Sequence, residues 1–437
     1  MSDAAGAGRK YAEALLGGII GAVLGTGFVV LVTSLIKAVL DWVIRQENWV
    51  TLIAPFVGIG LSAVLLYTFA QGRARLSLAE EAAAPRGFRA WLRAPSNALR
   101  ADLTGDVVRA AGREEQFPWR LAPLRAMAII STVGSGAPMG TESPAAHLGV
   151  AAGASLGGAR GWVRRLVRPA AISGGAAGVA ALMGLPLVGL VFMLELGRRN
   201  QAALSTVRII PAACGALIGW AVNAGFGLEF IRLVVPSIGP QGIWQALGVA
   251  AIVGVVSGAL SSVMGTAIYH ARRWSSRPLL KVLLGGLALL GCILLIRALA
   301  GQQAAIGPGA GAVSWAETAE ASIWVLLAVA VLRAIATTSA VAAGGTGGLF
   351  VPLLAIGDLI GRAFAPLLGT TSALAASAGA AGAIAGGYRL PFTAIVMVLT
   401  LGGPETARLT CVATVAVAAM AGIVAGYALD RLGMGRA

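Results

Sequence analysis

Charged residues are scarce in this sequence. Only 12% of its 437 residues are charged, whereas 57% are hydrophobic, and the mean hydropathy is +0.84. Soluble globular proteins carry about 25% charged residues, so that class is excluded. Apolar runs recur from Leu15 to Leu429, which a single signal peptide or anchor does not explain. The composition predicts a multi-pass integral membrane protein.

Cysteine and histidine are nearly absent. The three cysteines, Cys214, Cys292 and Cys411, lie far apart in apolar stretches, a pattern that supports neither a disulfide framework nor a cysteine metal site. Two histidines, His147 and His270, are too few for a histidine-rich metal site. We therefore expect no metal and no cofactor.

Acidic residues are outnumbered by basic ones, 18 against 33, and the net charge is +15. A basic chain can bind nucleic acid. Here, however, arginines concentrate between Arg73 and Arg125, in and beside a polar stretch that separates apolar runs. The positive-inside rule explains this cluster as a cytoplasmic loop over 71–122. We therefore predict no nucleic-acid partner and a location in the membrane.

Apolar runs predict helical segments of very unequal length. They cover residues 12–40, 50–70, 123–139, 145–160, 170–196, 204–225, 244–270, 278–299, 322–342, 349–369, 371–387, 389–402 and 409–430. Several are too short or too interrupted to cross a bilayer, as where Gly134, Gly136 and Pro138 follow one another. Unpaired backbone groups are tolerated at membrane depth only inside protein or beside water. Broken helices with ends inside the membrane are therefore expected.

The sequence is also duplicated. The segment Gly140-Thr141-Glu142-Ser143-Pro144 has a counterpart in Gly348-Leu349-Phe350-Val351-Pro352, and Leu185-Pro186 has one in Leu390-Pro391, at offsets of 208 and 205 residues. This predicts an N-terminal cytoplasmic segment 1–11, a first repeat 12–225, a connecting loop 226–243, a second repeat 244–430 and a tail 431–437. Duplicated segments interrupted by glycine and proline indicate a binding site where the repeats meet. Helix N-termini at such a site favour an anion.

These motifs resemble those of the CLC chloride channel and transporter family. The segment Gly140 to Pro144, followed by Gly149, is similar to the family's G-[KR]-E-G-P-x-x-x-x-G, although Thr141 and Ser143 replace its usual basic residue and glycine. The segment Gly348 to Pro352 matches G-x-F-x-P. Arg389-Leu390-Pro391-Phe392-Thr393 is similar to R-A-P-[LM]-T. The resemblance covers nearly the whole chain and indicates a divergent bacterial-type member without C-terminal regulatory domains, in the bacterial inner membrane.

The resemblance implies an all-α membrane protein of two inverted-topology repeats, whose short broken helices meet at a central anion site. It also implies a homodimer with one anion pathway in each subunit. Glu142 would be the gating glutamate, because a carboxylate at a helix N-terminus can occupy an anion site and leave when it is protonated. The expected anion-binding residues around it are Gly140, Thr141, Ser143, Gly348, Leu349, Phe350 and Val351.

Two anion ligands of the family have no direct match. For the family's cytoplasmic serine, Ser96 is the nearest equivalent, and Ser135 lies close enough to Glu142 to line the path. For the tyrosine near the end of the last helix, Tyr427 is the candidate. Tyr388 is interpreted as a packed or interfacial aromatic residue.

The residue that usually carries protons in the family's exchangers falls on Leu196. Glu195 lies one residue earlier, about 100° around the helix, and is either part of a proton path or a capping acid beside Arg198 and Arg199. Asp358 is either a polar wall residue or a substitute proton site. A channel and a weakly proton-coupled exchanger of chloride or similar small anions both remain open.

Two other functions compete with this interpretation. A secondary transporter of organic acids with a different inverted-repeat fold would share the duplication. A membrane enzyme would have to use Glu142 and His147 together, but five residues is a poor spacing for one helix face, and no hydrolase or metalloprotease motif is present. We therefore predict a transport protein and not an enzyme.

Overall fold

The computed structural model describes residues 2–69, 103–226, 233–273 and 277–432, and these ranges are almost entirely helical. The α-helices in the first half of these residues are α1 (Ser2–Ile44), α2 (Asn48–Phe69), α3 (Leu103–Ala110), α4 (Ala122–Gly134), α5 (Glu142–Ala154), α6 (Val167–Met183), α7 (Pro186–Arg199) and α8 (Thr206–Phe226). Those in the second half are α9 (Ile243–Arg273), α10 (Pro278–Ala305), α11 (Ala310–Thr318), α12 (Ile323–Ala342), α13 (Phe350–Phe364), α14 (Ser372–Tyr388), α15 (Pro391–Leu401) and α16 (Leu409–Arg431).

Eight helices of the described residues are long and apolar enough to cross a membrane: α1, α2, α6 with the 3-10 turn before it, α8, α9, α10, α12 and α16. The predicted multi-pass membrane protein is therefore confirmed. α6 differs from the other seven because nearly all of its most apolar stretch is buried inside the protein.

Five short helices have a proline at or near their first residue. α4, α5, α7, α13 and α15 have 11 to 15 residues, which at 1.5 Å per residue is too short for a hydrocarbon core of about 30 Å. Each carries a proline in its first turn, where the missing N–H group is not needed. The expected broken helices are present.

Two similar bundles occupy the two halves of the chain. α6 packs against α1, α5 and α8, and α14 packs in the same way against α9, α13 and α16. The contacts are close enough to need glycine: a Cβ atom on Gly149 would lie 2.0 Å from the carbonyl oxygen of Gly174, and one on Gly357 would lie 2.2 Å from that of Gly379. The duplication of the sequence thus has a counterpart in the packing.

Two segments have a secondary structure that differs from the one predicted from the sequence. Residues 170–196 do not form one helix, because Gly184 adopts a left-handed conformation (φ +67) after α6 and Pro186 then begins α7. The polar stretch 71–122 is not all loop. Leu103, Val107 and Ala110 form the buried face of α3, while residues 70–102 lie outside the described ranges.

Candidate anion pathway

The two duplicated motifs meet inside the protein. Gly140 donates its N–H to the carbonyl oxygen of Gly348, and Gly348 donates to that of Gly140, both at 2.7 Å in an antiparallel bridge. α5 begins two residues later at Glu142, and α13 begins at Phe350. The partial positive charges at the N-termini of both helices therefore converge on one place.

The Glu142 side chain lies in this place. It is 3% exposed, and it folds back over the bridge so closely that a Cβ atom on Gly140 would lie 2.2 Å from its Oε2 atom. The backbone N–H groups of Thr141 and Val351 lie near its carboxylate. No hydrogen-bond partner of Oε2 occurs among the described residues. The carboxylate thus lies at two helix N-termini, where backbone N–H groups favour a negative charge.

Aromatic rings wall this space. The Phe350 ring lies edge-on to Phe192, with centroids 5.3 Å apart, and stacks on Tyr388 at 3.9 Å and 17°. Glu142, Phe192 and Phe350 also line a small cavity of about 10 Å³, together with Thr393 and apolar side chains. Such a volume holds at most about one water molecule.

Tyr388, interpreted from the sequence as a packed or interfacial aromatic residue, is packed on Phe350 where the two motifs meet. Its hydroxyl oxygen accepts a hydrogen bond from the N–H of Leu349 at 2.9 Å and lies 3.1 Å from the Ser143 hydroxyl. It therefore joins the N-cap residue of α13 to the first turn of α5. Because the phenol oxygen already accepts from the Leu349 N–H at the start of α13, this N–H is not free to bind an anion. The only feature of the sequence that could have pointed to Tyr388 is its position directly before Arg389, in one of the motifs.

A larger cavity opens on the other side of Tyr388. Its volume is about 360 Å³, and its walls include Thr104 on α3, Leu349, Tyr388, Arg199 and Arg272. Arg199 also donates to the carbonyl oxygen of Tyr388 at 2.8 Å. The two arginines make the cavity suitable for anions. Sequence reasoning missed both of them and Thr104, because only the tertiary structure brings α3, α7 and α9 together.

Glu195 holds the start of another short helix. Its carboxylate accepts hydrogen bonds from the N–H of Phe392 at 3.1 Å, from the N–H of Thr393 at 2.7 Å and from the Thr393 hydroxyl at 2.6 Å. It thus caps α15, not its own helix, and connects α7 to α15. Leu196, one residue on, is 1% exposed within the core.

The structure does not bring three of the other predicted residues into this site. Tyr427 is 52% exposed, with its ring 5.0 Å from the Arg389 guanidinium, so these contacts do not support its assignment as an anion ligand, which stays a prediction. α16 turns this residue outward. Asp358 is fully buried in an ion pair with Arg362 at 2.8 Å. Ser135 donates to the Thr132 carbonyl oxygen at 2.8 Å, and Ser96 lies outside the described residues.

His147 belongs to a separate buried cluster. Its Nε2 atom lies 2.9 Å from Arg125, and its Nδ1 atom lies 3.2 Å from the carbonyl oxygen of Leu103. Arg125 in turn pairs with Asp106 at 2.6 Å. Both ring nitrogens are therefore engaged away from Glu142, and the cluster ties α3 and α4 to α5. Over the described ranges, no three His, Cys, Asp or Glu side chains are grouped to hold a metal ion.

The fold and this pathway define a membrane protein of the channel and transporter class. Residues 101–425 match the family model described as the voltage gated chloride channel. The chain belongs to this family, the CLC chloride channels and antiporters. Membership in a family of channels and exchange transporters confirms the prediction that the chain is not an enzyme.

Curated relatives from bacteria are similar over a large part of the chain. The H(+)/Cl(-) exchange transporter ClcA of Yersinia pestis bv. Antiqua is 28% identical over 312 residues, which cover 66% of this chain and 63% of the relative. The chain thus spans less than two thirds of that protein's length. A chloride/fluoride channel protein of Pseudomonas syringae pv. tomato is 28% identical over 333 residues, 72% of this chain and 71% of the relative.

Solved structures share the fold. A CLC-type fluoride/proton antiporter superposes with a TM-score of 0.69 at 22% identity and covers 95% of both chains. A slow cyanobacterial Cl-/H+ antiporter superposes with a TM-score of 0.68 at 20% identity, over 96% of this chain and 95% of the other. The predicted all-helical CLC-type fold is confirmed.

Proposed function

We propose that this protein carries chloride or a similar small anion across the membrane, through a pathway gated by Glu142. The observation that supports this most is the place of Glu142. A carboxylate that is 3% exposed lies where the N-termini of two helices converge, and one of its oxygens has no partner among the described residues. A buried ionisable group at such a position is a functional group by default.

The proposed route has two compartments. Anions gather in the 360 Å³ cavity, where Arg199 and Arg272 raise their local concentration. Arg199 is the last residue of α7 and Arg272 lies in the last turn of α9. Because arginines favour the cytoplasmic ends of membrane helices, we propose that this cavity faces the cytoplasm. From there an anion passes Tyr388 and reaches the N–H groups at the starts of α5 and α13.

Gating follows from competition for those N–H groups. An ionised Glu142 carboxylate carries the same charge as the anion and occupies the same space. When it is protonated, its attraction to the helix N-termini falls, and an anion can displace it. Flux is therefore expected to rise as the pH falls.

A proton route with weak coupling is proposed on the other side of Phe350. The Thr393 hydroxyl contacts Glu195 at 2.6 Å and lines the same small cavity as Glu142. A proton can pass from Glu195 through this hydroxyl and one water to Glu142. The cavity is otherwise apolar and small, so this transfer is slow relative to anion movement. Asp358 is not assigned to the route because Arg362 already pairs with it.

The test is flux from liposomes that contain the purified protein. Chloride efflux is recorded with a chloride electrode while the external pH is followed, and fluoride and acetate replace chloride in parallel. We expect chloride efflux that is accompanied by proton movement. The number of protons moved per chloride ion should be lower than in an exchanger with a fixed stoichiometry. Flux of acetate but not of chloride would identify an organic-acid transporter, and no flux of any anion would contradict the proposal.

A further inference from the structure

An apolar groove with one cation at its rim lies on the outer surface, away from the proposed pathway. Its volume is about 370 Å³. The walls come from α1, from the 3-10 turn and start of α4, and from the end of α5: Leu24, Phe28, Trp119, Arg120, Ala122, Pro123, Ala151, Ala152 and Ser155. Except for Arg120 and Ser155 these residues are apolar, and the Ser155 hydroxyl already donates to the Ala152 carbonyl oxygen at 2.6 Å.

Arg120 provides the only charge in this groove. Its guanidinium lies 5.3 Å from the centre of the Trp119 ring in a cation–π contact. The side chain is exposed, and no carboxylate of the described residues pairs with it. A cation beside an apolar groove favours a ligand with an anionic group and a hydrocarbon chain.

The residues around the groove indicate that this ligand comes from the lipid bilayer. The groove opens beside a lipid-facing part of α1, where Val23 and Leu31 are 60% and 58% exposed in a helix that is long and apolar enough to span the membrane. Outside the groove, the 3-10 segment Gly161–Leu166 packs against α1 and carries Arg164, Arg165, which pairs with Glu13 at 3.6 Å, and Trp162, which is 60% exposed. Arginine and tryptophan together are typical of the membrane interface next to anionic headgroups.

We propose that this groove binds one anionic phospholipid, with its phosphate at Arg120 and an acyl chain along Phe28, Ala151 and Ala152. Ala151 and Ala152 lie in the last turn of α5, and Glu142 is the first residue of the same helix. A bound lipid thus packs against the end of the helix that begins at the anion site. The binding itself does not depend on the proposed transport function.

Native mass spectrometry of the delipidated full-length protein tests the proposal. Phosphatidylglycerol and phosphatidylcholine with the same acyl chains are titrated separately. We expect one phosphatidylglycerol to bind tightly per chain and phosphatidylcholine to bind more weakly. Arg120→Gln should weaken phosphatidylglycerol binding about fivefold, as expected for one arginine near an anionic surface, and should leave phosphatidylcholine binding unchanged.

The matched control is Arg277→Gln, which removes an equally exposed arginine between α9 and α10. It should leave the tight phosphatidylglycerol site unchanged. If Arg120→Gln binds phosphatidylglycerol as the wild type does, or if the wild type does not distinguish the two lipids, the proposal is wrong.

A second variant tests the hydrocarbon part. Ala152→Trp fills the groove without changing its charge, and it should reduce occupancy by phosphatidylglycerol even though Arg120 remains. Glycerol phosphate, which has the anionic group but no acyl chain, should not compete with the lipid at millimolar concentration. Effective competition would show a site for soluble phosphates, and undiminished binding by Ala152→Trp would show that the acyl chain lies elsewhere.

Discussion

Glu142 and Tyr388 both place an oxygen atom beside backbone N–H groups at the converging helix N-termini. The Glu142 carboxylate lies near the N–H of Val351, and the Tyr388 hydroxyl accepts from the N–H of Leu349 at 2.9 Å. The carboxylate loses its charge on protonation, whereas the phenol can leave only by moving its ring. The two residues should therefore respond differently to pH.

Substitution of Glu142 by glutamine should remove the pH dependence of anion flux. Glutamine has nearly the same shape but cannot ionise, so it resembles the protonated glutamate at every pH. We expect wild-type flux to rise from pH 8 to pH 5, and the Glu142→Gln variant to show high flux that is independent of pH, without proton movement. Liposome flux at several pH values checks this. Glu115→Gln, at an exposed acid, should retain the wild-type profile, and a pH dependence shared by all three proteins would refute the gating role.

Substitution of Tyr388 by phenylalanine should increase flux. Phenylalanine keeps the stacking on Phe350 but frees the N–H of Leu349 for an anion. One hydrogen bond is worth about 1 kcal/mol, so we expect a gain of about fivefold, measured as initial chloride efflux. Tyr67→Phe, at a buried tyrosine that packs against Ala63 and Val282, is the control and should leave flux unchanged. Reduced flux in Tyr388→Phe would mean that the hydroxyl binds the anion instead of blocking it.

At the scale of elements, one carboxylate connects α7 to the start of α15. Glu195→Ala removes a cap that accepts three hydrogen bonds and should lower the free energy of unfolding by up to about 2 kcal/mol. Glu195→Gln keeps an acceptor oxygen and should lose less stability. Both variants should slow proton movement without slowing chloride efflux.

Thermal unfolding in detergent and paired chloride and pH recordings separate the two roles of Glu195. Glu320→Gln, at an exposed acid between α11 and α12, is the control for both measurements. If Glu195→Gln moves protons as fast as the wild type, Glu195 is only a cap.

Glycine contacts between helices hold each bundle together. Gly149→Ala would place a methyl group 2.0 Å from the Gly174 carbonyl oxygen, so α5 and α6 must separate, at a cost of about 1–3 kcal/mol or more. The same change at Gly248, on an exposed face of α9 with no atom within 4 Å, should leave the melting temperature unchanged or slightly higher. Thermal unfolding of both variants is the measurement. Equal melting temperatures would show that α5 and α6 adjust to the added methyl group.

At the scale of the whole molecule, the resemblance to the CLC family implies a homodimer. Large apolar side chains on the outer faces of α8 and α16, such as Leu217, Trp220 and Val424, are 45% to 61% exposed and can face lipid or a second copy. We expect native mass spectrometry in mild detergent to give twice the chain mass of 43.9 kDa. A mass of one chain under conditions that preserve flux would contradict the dimer.

Much of the fold was determined by the sequence alone. Composition indicated a membrane protein, because long apolar runs recur along a chain with only 12% charged residues, and glycines and prolines that interrupt short apolar runs indicated broken helices. The two motifs at an offset of 208 predicted a site where the repeats meet, and in the structure Gly140 and Gly348 of these motifs pair in a backbone bridge. These features are local or repeated, so they can be read from residue types and spacing.

The composition of the pathway was decided only by the tertiary structure. Tyr388 enters the site because α14 ends against the start of α13, and Tyr427 stays outside because α16 presents it outward beside Arg389. Thr104, Arg199 and Arg272 share one cavity although they lie on three separate helices. Side-chain contacts of this kind depend on how each helix is rotated about its axis and packed against its neighbours. The spacing of residues along the sequence does not determine that rotation.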